Sequence, residues 1–146
     1  MTGLSLKAAC TIVDVALAKA RDLGLAPLCV VILDAGGHLV AAKREDGASL
    51  LRPEIATGKA YGCLSMGLGG RELARRAEKS PSFINAVSDL TSGRMVPVPG
   101  GVLVRNGTGL IVGAVGISGD ASLKDEECAV AGIAAAGFQA DHGDPA

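Results

Sequence analysis

The sequence predicts an α+β fold in which helices pack on an antiparallel sheet. Hydrophobic patterns along the 146 residues change in the order helix, two strands, helices, three strands, helix. Two hairpin signals, the turn Asp34–Gly37 and the pair Asn106-Gly107, connect neighbouring strand segments. Because hairpins join strands that run antiparallel, we expect the helices to pack on the faces of one antiparallel sheet.

Length and composition favour one domain, residues 1–140, followed by a flexible tail, residues 141–146. Apolar residues make up 49% and charged residues 20% of the chain, and the net charge is −1. These values exclude a disordered chain and leave no basic surface for nucleic acid. Lys7 and Asp14 interrupt the first apolar stretch, and no run reaches the roughly 18 residues of a membrane span. We therefore expect neither a signal peptide nor a membrane segment.

Small side chains dominate, since the chain has 21 glycines but only three aromatic residues, Tyr61, Phe83 and Phe138. We expect an aliphatic core in which backbones approach closely, and a homo-oligomer that recovers the burial such a core lacks. The cysteines are widely spaced without a CxxC pair. This spacing favours buried free thiols in a reducing cytoplasm over a disulfide or metal framework at Cys10, Cys29, Cys63 and Cys128.

The first element is an amphipathic helix over Ser5–Leu23, which Thr2 or Ser5 caps and which Gly24 and Pro27 end. The apolar run Leu28–Leu33 then predicts a strand buried on both faces. After the glycine turn, the chain returns as a second strand.

This returning strand covers His38–Lys43, and a helix follows over Glu54–Met66 with Pro53 in its first turn. Gly58 and Gly62 on this helix indicate that a strand, a subunit or a ligand approaches it closely. The side chains expected to face inward are Ala56, Ala60, Cys63 and Leu64. Two short helices are expected next, over Arg71–Lys79 and Phe83–Leu90, the second docking through Phe83, Ile84 and Val87.

The last third predicts strands at Met95–Val98, Gly101–Arg105 and Leu110–Ile117. A final helix runs to Phe138, with Ser122 as its N-cap. Its first turn carries Asp125, Glu126 and Glu127, which complement the helix dipole. We interpret the Gly-rich segment before it as structural capping rather than an anion site.

Four segments carry a resemblance to a known family: VVILDAGGHLVAAKREDGA (30–48), EIATGKA (54–60), PGGVLV (99–104) and GLIVGAVGISGDASLKDEECAVAG (109–132). In this order they are similar to the GlcG/HbpS family, which includes the C-terminal domain of PduO-type proteins. The resemblance covers nearly the whole chain. It implies a profilin-like α/β/α fold with a central antiparallel sheet of about five strands, and homo-oligomers of up to eight chains.

The same resemblance implies heme or corrinoid binding in some members and poorly defined roles beside catabolic enzymes in others. Glu45 departs from the family, because an apolar residue, often Met, is usual there. Ser49 stands where Pro is common. The N-terminal helix has no histidine, so the residue that ligates heme in some PduO-type domains has no counterpart.

Ionisable side chains gather where the second strand ends and the next helix begins. A carboxylate and a cation there form either an ordinary salt bridge or a site for a carboxylated substrate. We predict that Arg44, Asp46 and Lys59 line one pocket at or near a subunit interface. Lys59 and Asp46 would be the acid/base groups, and Arg44 and Glu45 would bind the ligand.

Three further residues join the predicted ligand-binding set. His38 follows the glycine turn, where it is either a solvated turn residue or a heme ligand or acid/base group. Gly100 and Gly101 allow close backbone approach. His142 lies in the expected tail and is not expected to be catalytic. Without HxxxH or HxE spacing we expect no closed zinc site.

Two classes of function remain open. The first is a small-ligand-binding protein for heme or a related tetrapyrrole, with or without slow degradation of it. Thr, Lys or His would ligate the iron, with Met66 or Met95 as weaker choices. The scarcity of aromatic residues to flank a porphyrin counts against this class. The second is an enzyme or accessory protein of a catabolic operon, acting on a small carboxylated or aromatic compound by acid/base chemistry. A purely structural subunit is the third and least specific alternative.

Overall fold

The computed structural model describes residues 3–145 and contains five helices and five strands within them. All strand pairs are antiparallel, and the order across the sheet is β2-β1-β4-β3-β5. The predicted α+β class with a five-stranded antiparallel sheet is confirmed. The elements in chain order are α1 (Leu6–Asp22), β1 (Cys29–Asp34), β2 (Leu39–Arg44), α2 (Arg52–Met66), α3 (Gly70–Lys79), α4 (Pro81–Leu90), β3 (Gly101–Arg105), β4 (Ile111–Ser118), α5 (Ser122–Ala135) and β5 (Gln139–Asp141).

Helices cover both faces of the sheet, as the α/β/α prediction requires. α1 and α5 pack on each other and on one face, where alternate residues of β1, β3 and β4 are buried. α2 lies over β4, β1 and β3 on the other face, and α3 and α4 lie outside it. β1 is therefore buried on both faces, as its uninterrupted apolar run predicts. Within residues 3–145, no helix combines the length and apolarity needed to cross a membrane.

The first helix is capped by Ser5, whose Oγ accepts a hydrogen bond from the Ala8 N–H at 3.1 Å. Thr2, the alternative cap, lies outside the described residues. α1 packs on α5, and its buried residues are Ala9, Ile12, Val13, Ala16 and Ala20. Leu6 is exposed, and so is Cys10, which was expected to be a buried thiol.

The predicted strand Met95–Val98 is wrong. Its apolar residues resemble a strand, but Pro97 and Pro99 lack the N–H that a ladder requires. The segment instead lies along α2, where the Val96 N–H donates to the Gly58 carbonyl at 3.0 Å. A Cβ on Gly58 would lie 2.5 Å from the Val96 side chain, so this segment explains why α2 carries glycine there.

Two expectations about the helices also need correction. The N-cap of α5 is Ala121 rather than Ser122, and the Asp125 carboxylate accepts a hydrogen bond from the Asp120 N–H at 3.1 Å instead. In α4, Ile84 is buried as expected but Phe83 is exposed, because only one face of this short helix packs on α3.

The fifth strand comes from the end of the chain. α5 ends at Ala135, and Gln139–Asp141 pairs with Leu103–Arg105 at the edge of the sheet. The segment expected to be a flexible tail therefore begins inside β5, and its last residue, Ala146, lies outside the described residues. Asp144 forms ion pairs with Arg71 and Arg75 of α3 at 2.9 and 2.6 Å.

These ion pairs make the edge strand sensitive to acid. Hydrogen bonds from Arg75 and Arg71 hold the pKa of Asp144 below its ordinary value. Their contribution to stability is complete above the unfolded pKa of about 3.9 and is lost as the pH falls through the lower folded value. We expect the protection of the β5 amides from hydrogen exchange, relative to the unfolded chain at the same pH, to fall below about pH 4 before that of the β1 amides does. Simultaneous loss of protection in both strands would contradict a local release.

Candidate functional site

α2 leaves one face of the edge strand β2 uncovered. Leu39, Ala42 and Arg44 are in register with Leu33, Val31 and Cys29, the β1 residues that α2 buries. They therefore point to the α2 side of the sheet, but they lie beyond the helix. All three are exposed, Leu39 by 65%. We call these three residues the β2 face.

The loop between β2 and α2 extends this apolar surface. Leu50 is 86% exposed, and Leu51 is also exposed. The loop folds back on the end of β2, because Arg44 Nη1 donates a hydrogen bond to the Ala48 carbonyl at 3.1 Å. Leucine side chains thus project from the loop that borders Arg44.

Two guanidinium groups bond to the loop at this end of the β2 face. Arg52, the first residue of α2, donates from Nε to Ser49 Oγ at 3.1 Å and from Nη1 to Ser118 Oγ at 3.0 Å. Ser118 and Arg44 flank Cys29 on the two neighbouring strands, so their backbones are about 10 Å apart. Because Arg44 and Arg52 also bond to the adjacent residues Ala48 and Ser49, both guanidiniums border the same loop.

Within residues 3–145, neither arginine forms an ion pair with a carboxylate. Among residues 3–145, the ion pairs involve other cations and leave Arg44 and Arg52 bonded only to neutral oxygens. Both guanidiniums can therefore receive the carboxylates of a ligand.

Arg44 also acts on the neighbouring Cys29. Burial raises the pKa of the Cys29 thiol, the positive charge of Arg44 opposes this rise, and Glu54 adds to it.

Glu45 and Asp46 line a cavity of about 390 Å³ together with Arg21, Pro27 and Arg44. Glu45 has a structural role there. Its Oε1 accepts a hydrogen bond from the Leu28 N–H at 2.8 Å, and its carboxylate pairs with Arg21 at 3.1 Å. Glu45 thus ties the end of β2 to the start of β1 and the end of α1.

Lys59 is not part of this cavity, contrary to the predicted grouping with Arg44 and Asp46. It is 3% exposed, and its Nζ lies 3.1 Å from Oδ2 of Asp125, which is fully buried. Burial lowers the pKa of Lys59 and raises that of Asp125, while their mutual attraction opposes both shifts. An acid/base role for Lys59 together with Asp46 therefore has no geometric support.

Gly100 and Gly101 lie against Lys59 rather than at the β2 face. A Cβ on Gly100 would lie 2.8 Å from Lys59 Nζ, and one on Gly101 would overlap the Lys59 carbonyl. These two glycines let the turn before β3 close over the buried lysine. Both glycines therefore pack against Lys59.

The two histidines lie at different ends of the molecule. The side chain of His38 is 81% exposed, and its Nδ1 is 3.4 Å from the carboxylate of Asp34 in the same turn. His142 follows β5 and borders a surface cavity of about 600 Å³ with Glu72 and Arg105. Within residues 3–145, no three His, Cys, Asp or Glu side chains gather closely enough to hold a metal ion.

Sequence reasoning missed Arg52, Ser118 and Asp125. Arg52 precedes Pro53 at the start of the predicted helix, so its closeness to the predicted pocket was a signal that could have been used. Ser118 belongs to the Gly-rich segment that was interpreted as structural capping, and Asp125 was assigned to dipole compensation. Their partners Arg52 and Lys59 each lie 66 residues away in the sequence.

Comparison with known proteins agrees with this architecture. A family described as "Haem degrading protein HbpS-like" matches residues 4–134. Among curated proteins, none matches the chain.

Several solved structures are similar. A PduOC:heme complex is 27% identical, with 93% of this chain and 96% of that chain covered and a TM-score of 0.83. HbpS is 30% identical, with 92% and 90% covered and a TM-score of 0.79. Protein ORFY of Klebsiella pneumoniae, 22% identical with 94% and 92% covered and a TM-score of 0.83, supports the fold alone. Since the family match spans most of the sequence and the fold agrees, this chain belongs to the HbpS-like family.

Proposed function

We propose that this chain binds heme or a related tetrapyrrole at the β2 face, with Arg44 and Arg52 receiving the carboxylates of the ligand. The observation that carries the proposal is a pair of guanidiniums that form no ion pair within residues 3–145 and that lie at the end of an exposed apolar surface. Membership of the HbpS-like family and the likeness to a PduOC:heme complex support it.

The chemistry of the surface matches the two parts of such a ligand. A tetrapyrrole is a flat apolar ring with carboxylate side chains, so it needs apolar contact over most of its area and cations at its edge. Leu39, Ala42, Leu50 and Leu51 offer the apolar contact, worth about 25 cal/mol for each Å² removed from water. Guanidiniums offer paired N–H donors that match a carboxylate. When bound, heme would supply iron redox chemistry.

Removing either guanidinium is expected to weaken binding. Arg44→Met and Arg52→Met each delete a charge-assisted hydrogen bond worth roughly 1.5 to 3 kcal/mol, and because the site is open we expect the lower end, about tenfold in Kd. Titration of each variant with heme, followed by its absorbance, measures the change. The double variant should lose more than either single one.

Lys43→Met is the matched control. It removes one positive charge from the same strand, one residue before Arg44, but its side chain points to α1 and pairs with Asp14 at 2.8 Å. Heme affinity should not change in this variant. Unchanged affinity in a folded Arg44→Met/Arg52→Met variant would instead move the site away from the β2 face.

Two finer parts of the proposal have separate tests. Slow degradation of the bound tetrapyrrole predicts a gradual loss of the heme absorbance when ascorbate and oxygen are supplied, which a heat-denatured sample would not reproduce. Assembly into homo-oligomers of up to eight chains predicts a multiple of the 14.5 kDa chain mass in light scattering.

A further inference from the structure

We infer that the ligand of the β2 face is recognised by its carboxylates and its ring and not by the metal at its centre, so that metal-free and metal-loaded tetrapyrroles bind alike. The inference rests on the proposed function and names the ligand class more closely. It follows from where the structure places the side chains of residues 3–145 that could ligate iron: histidine, cysteine, methionine, tyrosine, lysine and threonine.

The histidines lie far from the arginine pair along the sheet. Asp34 holds His38 in the turn, through the His38 N–H at 2.9 Å and the nearby Nδ1. Six residues of strand separate His38 from Arg44, a distance of roughly 20 Å. His142 follows β5, the outer strand opposite β2 in the sheet. Its Nδ1 accepts a hydrogen bond from the Asp144 N–H at 3.3 Å, so in the neutral ring Nε2 carries the proton and is not a free ligand.

The cysteine and methionine side chains are packed in the core or lie on the other face of the sheet. Cys29, Cys63 and Cys128 are buried, and burial raises the pKa of Cys63 to about 12 and that of Cys128 to about 11, so both remain thiols at neutral pH. Cys10 lies on α1, which packs on the other face of the sheet. Met95 is buried against Gly62, and Met66 packs on the cluster of Leu73, Ile84 and Met95.

The remaining candidates are also committed elsewhere. Tyr61 borders a cavity of only about 130 Å³, and its ring lies 4.3 Å beneath the Arg94 guanidinium. Ligand pockets usually hold about 300 to 1,000 Å³, so this cavity does not admit a tetrapyrrole. Lys59 is buried in its ion pair with Asp125, and Lys43 pairs with Asp14 on the α1 side of the sheet. The other lysines lie on α1, α3 and α5. Each threonine hydroxyl of residues 3–145 donates a hydrogen bond to a protein oxygen. Among residues 3–145, the groups that remain available at the β2 face are thus the two guanidiniums and the leucines.

In this arrangement the protein recognises the ligand by the two carboxylates on one of its edges. Arg44 and Arg52 come from different elements, β2 and α2, but border one loop, so each can receive a separate carboxylate. The central metal would lie over the apolar side chains of the β2 face, which do not distinguish one metal from another. Esterifying the carboxylates should therefore matter more than removing the metal.

The test compares four ligands on the full chain: heme, zinc protoporphyrin, metal-free protoporphyrin and metal-free protoporphyrin dimethyl ester. We expect the three free acids to bind within about threefold of one another, and the dimethyl ester to bind roughly 100-fold more weakly because two charge-assisted contacts are lost. Arg44→Met/Arg52→Met should weaken the three free acids equally. His38→Ala and His142→Ala should leave the absorbance spectrum of the heme-bound protein unchanged.

The possible failures can be told apart. Heme binding at least tenfold tighter than metal-free protoporphyrin, or a heme spectrum altered by either histidine substitution, overturns the inference and leaves the proposed function standing. Equal affinity for the dimethyl ester and its free acid also overturns it. If none of the three free acids binds to the folded protein, the proposed function itself fails.

Discussion

Asp125→Ala is expected to destabilise the protein by about 3 to 5 kcal/mol, because it leaves the ammonium of Lys59 buried without a counter-charge. Lys59 is 3% exposed, so solvent cannot replace the lost carboxylate without opening the contact between α2 and the turn before β3. The same substitution removes the acceptor of the Asp120 N–H at the start of α5. Urea unfolding of the purified variant measures the loss.

A double variant separates the two contributions. Lys59→Met/Asp125→Leu removes both charges and keeps apolar volume, so it should be more stable than Asp125→Ala alone. Glu127→Gln on the same helix is the control. Its partner Lys124 is exposed at 3.5 Å, and such surface pairs contribute about 0 to 1 kcal/mol. A loss below about 1 kcal/mol in Asp125→Ala would contradict a buried ion pair.

The pH dependence of Asp125→Ala carries a defined sign. Burial already lowers the pKa of Lys59, and losing the neighbouring carboxylate lowers it further. Between this folded value and the unfolded pKa of about 10.4, the unfolded chain binds more protons, so stability rises with pH. The variant should therefore regain part of its stability as the pH is raised towards 10.

The fold could be predicted where one local pattern determined one element. The run Cys29–Leu33 is apolar at every position, which predicts the buried strand β1. The Asn106-Gly107 pair lies between two strand-like segments, which predicts the β3–β4 hairpin. Met95–Val98 has a similar pattern, and there the pattern misleads because the two prolines decide the outcome. β5 is only three residues long and is defined by pairing with distant β3, a contact that no local periodicity records.

The candidate site was only partly predictable for the same reason. Arg44 stands at a strand end, which the sequence reveals, and the structure places it at the β2 face. Arg52 becomes important only because β4 returns Ser118 beside it. Lys59 was assigned to the wrong neighbours, since its partner Asp125 comes from the last helix and resembles an ordinary first-turn acid in the sequence. Contacts that bring together residues far apart in the chain are what the sequence could not provide.

Gly116→Ala is expected to cost about 3 kcal/mol or more, at or beyond the upper end for an overpacked core. α2 crosses β4 directly above Gly116, where a Cβ would overlap the carbonyl oxygen of Ala56 and lie 3.0 Å from the Ala60 nitrogen. These are backbone atoms of a helix and cannot rotate away as a side chain does. α2 would have to move off the sheet, loosening the packing of Ala56, Ala60 and Cys63 on β1 and β3.

Gly107→Ala provides the comparison for this substitution. Gly107 lies in the β3–β4 loop, and an added Cβ there meets no atom within 4 Å, so its stability should stay within about 0.5 kcal/mol of the parent chain. Equal unfolding midpoints for Gly116→Ala and Gly107→Ala would show that α2 does not rest on β4 at this point. If Gly116→Ala folds, its heme affinity should also fall, because a displaced α2 carries Arg52 away from Ser118 and from the end of the β2 face.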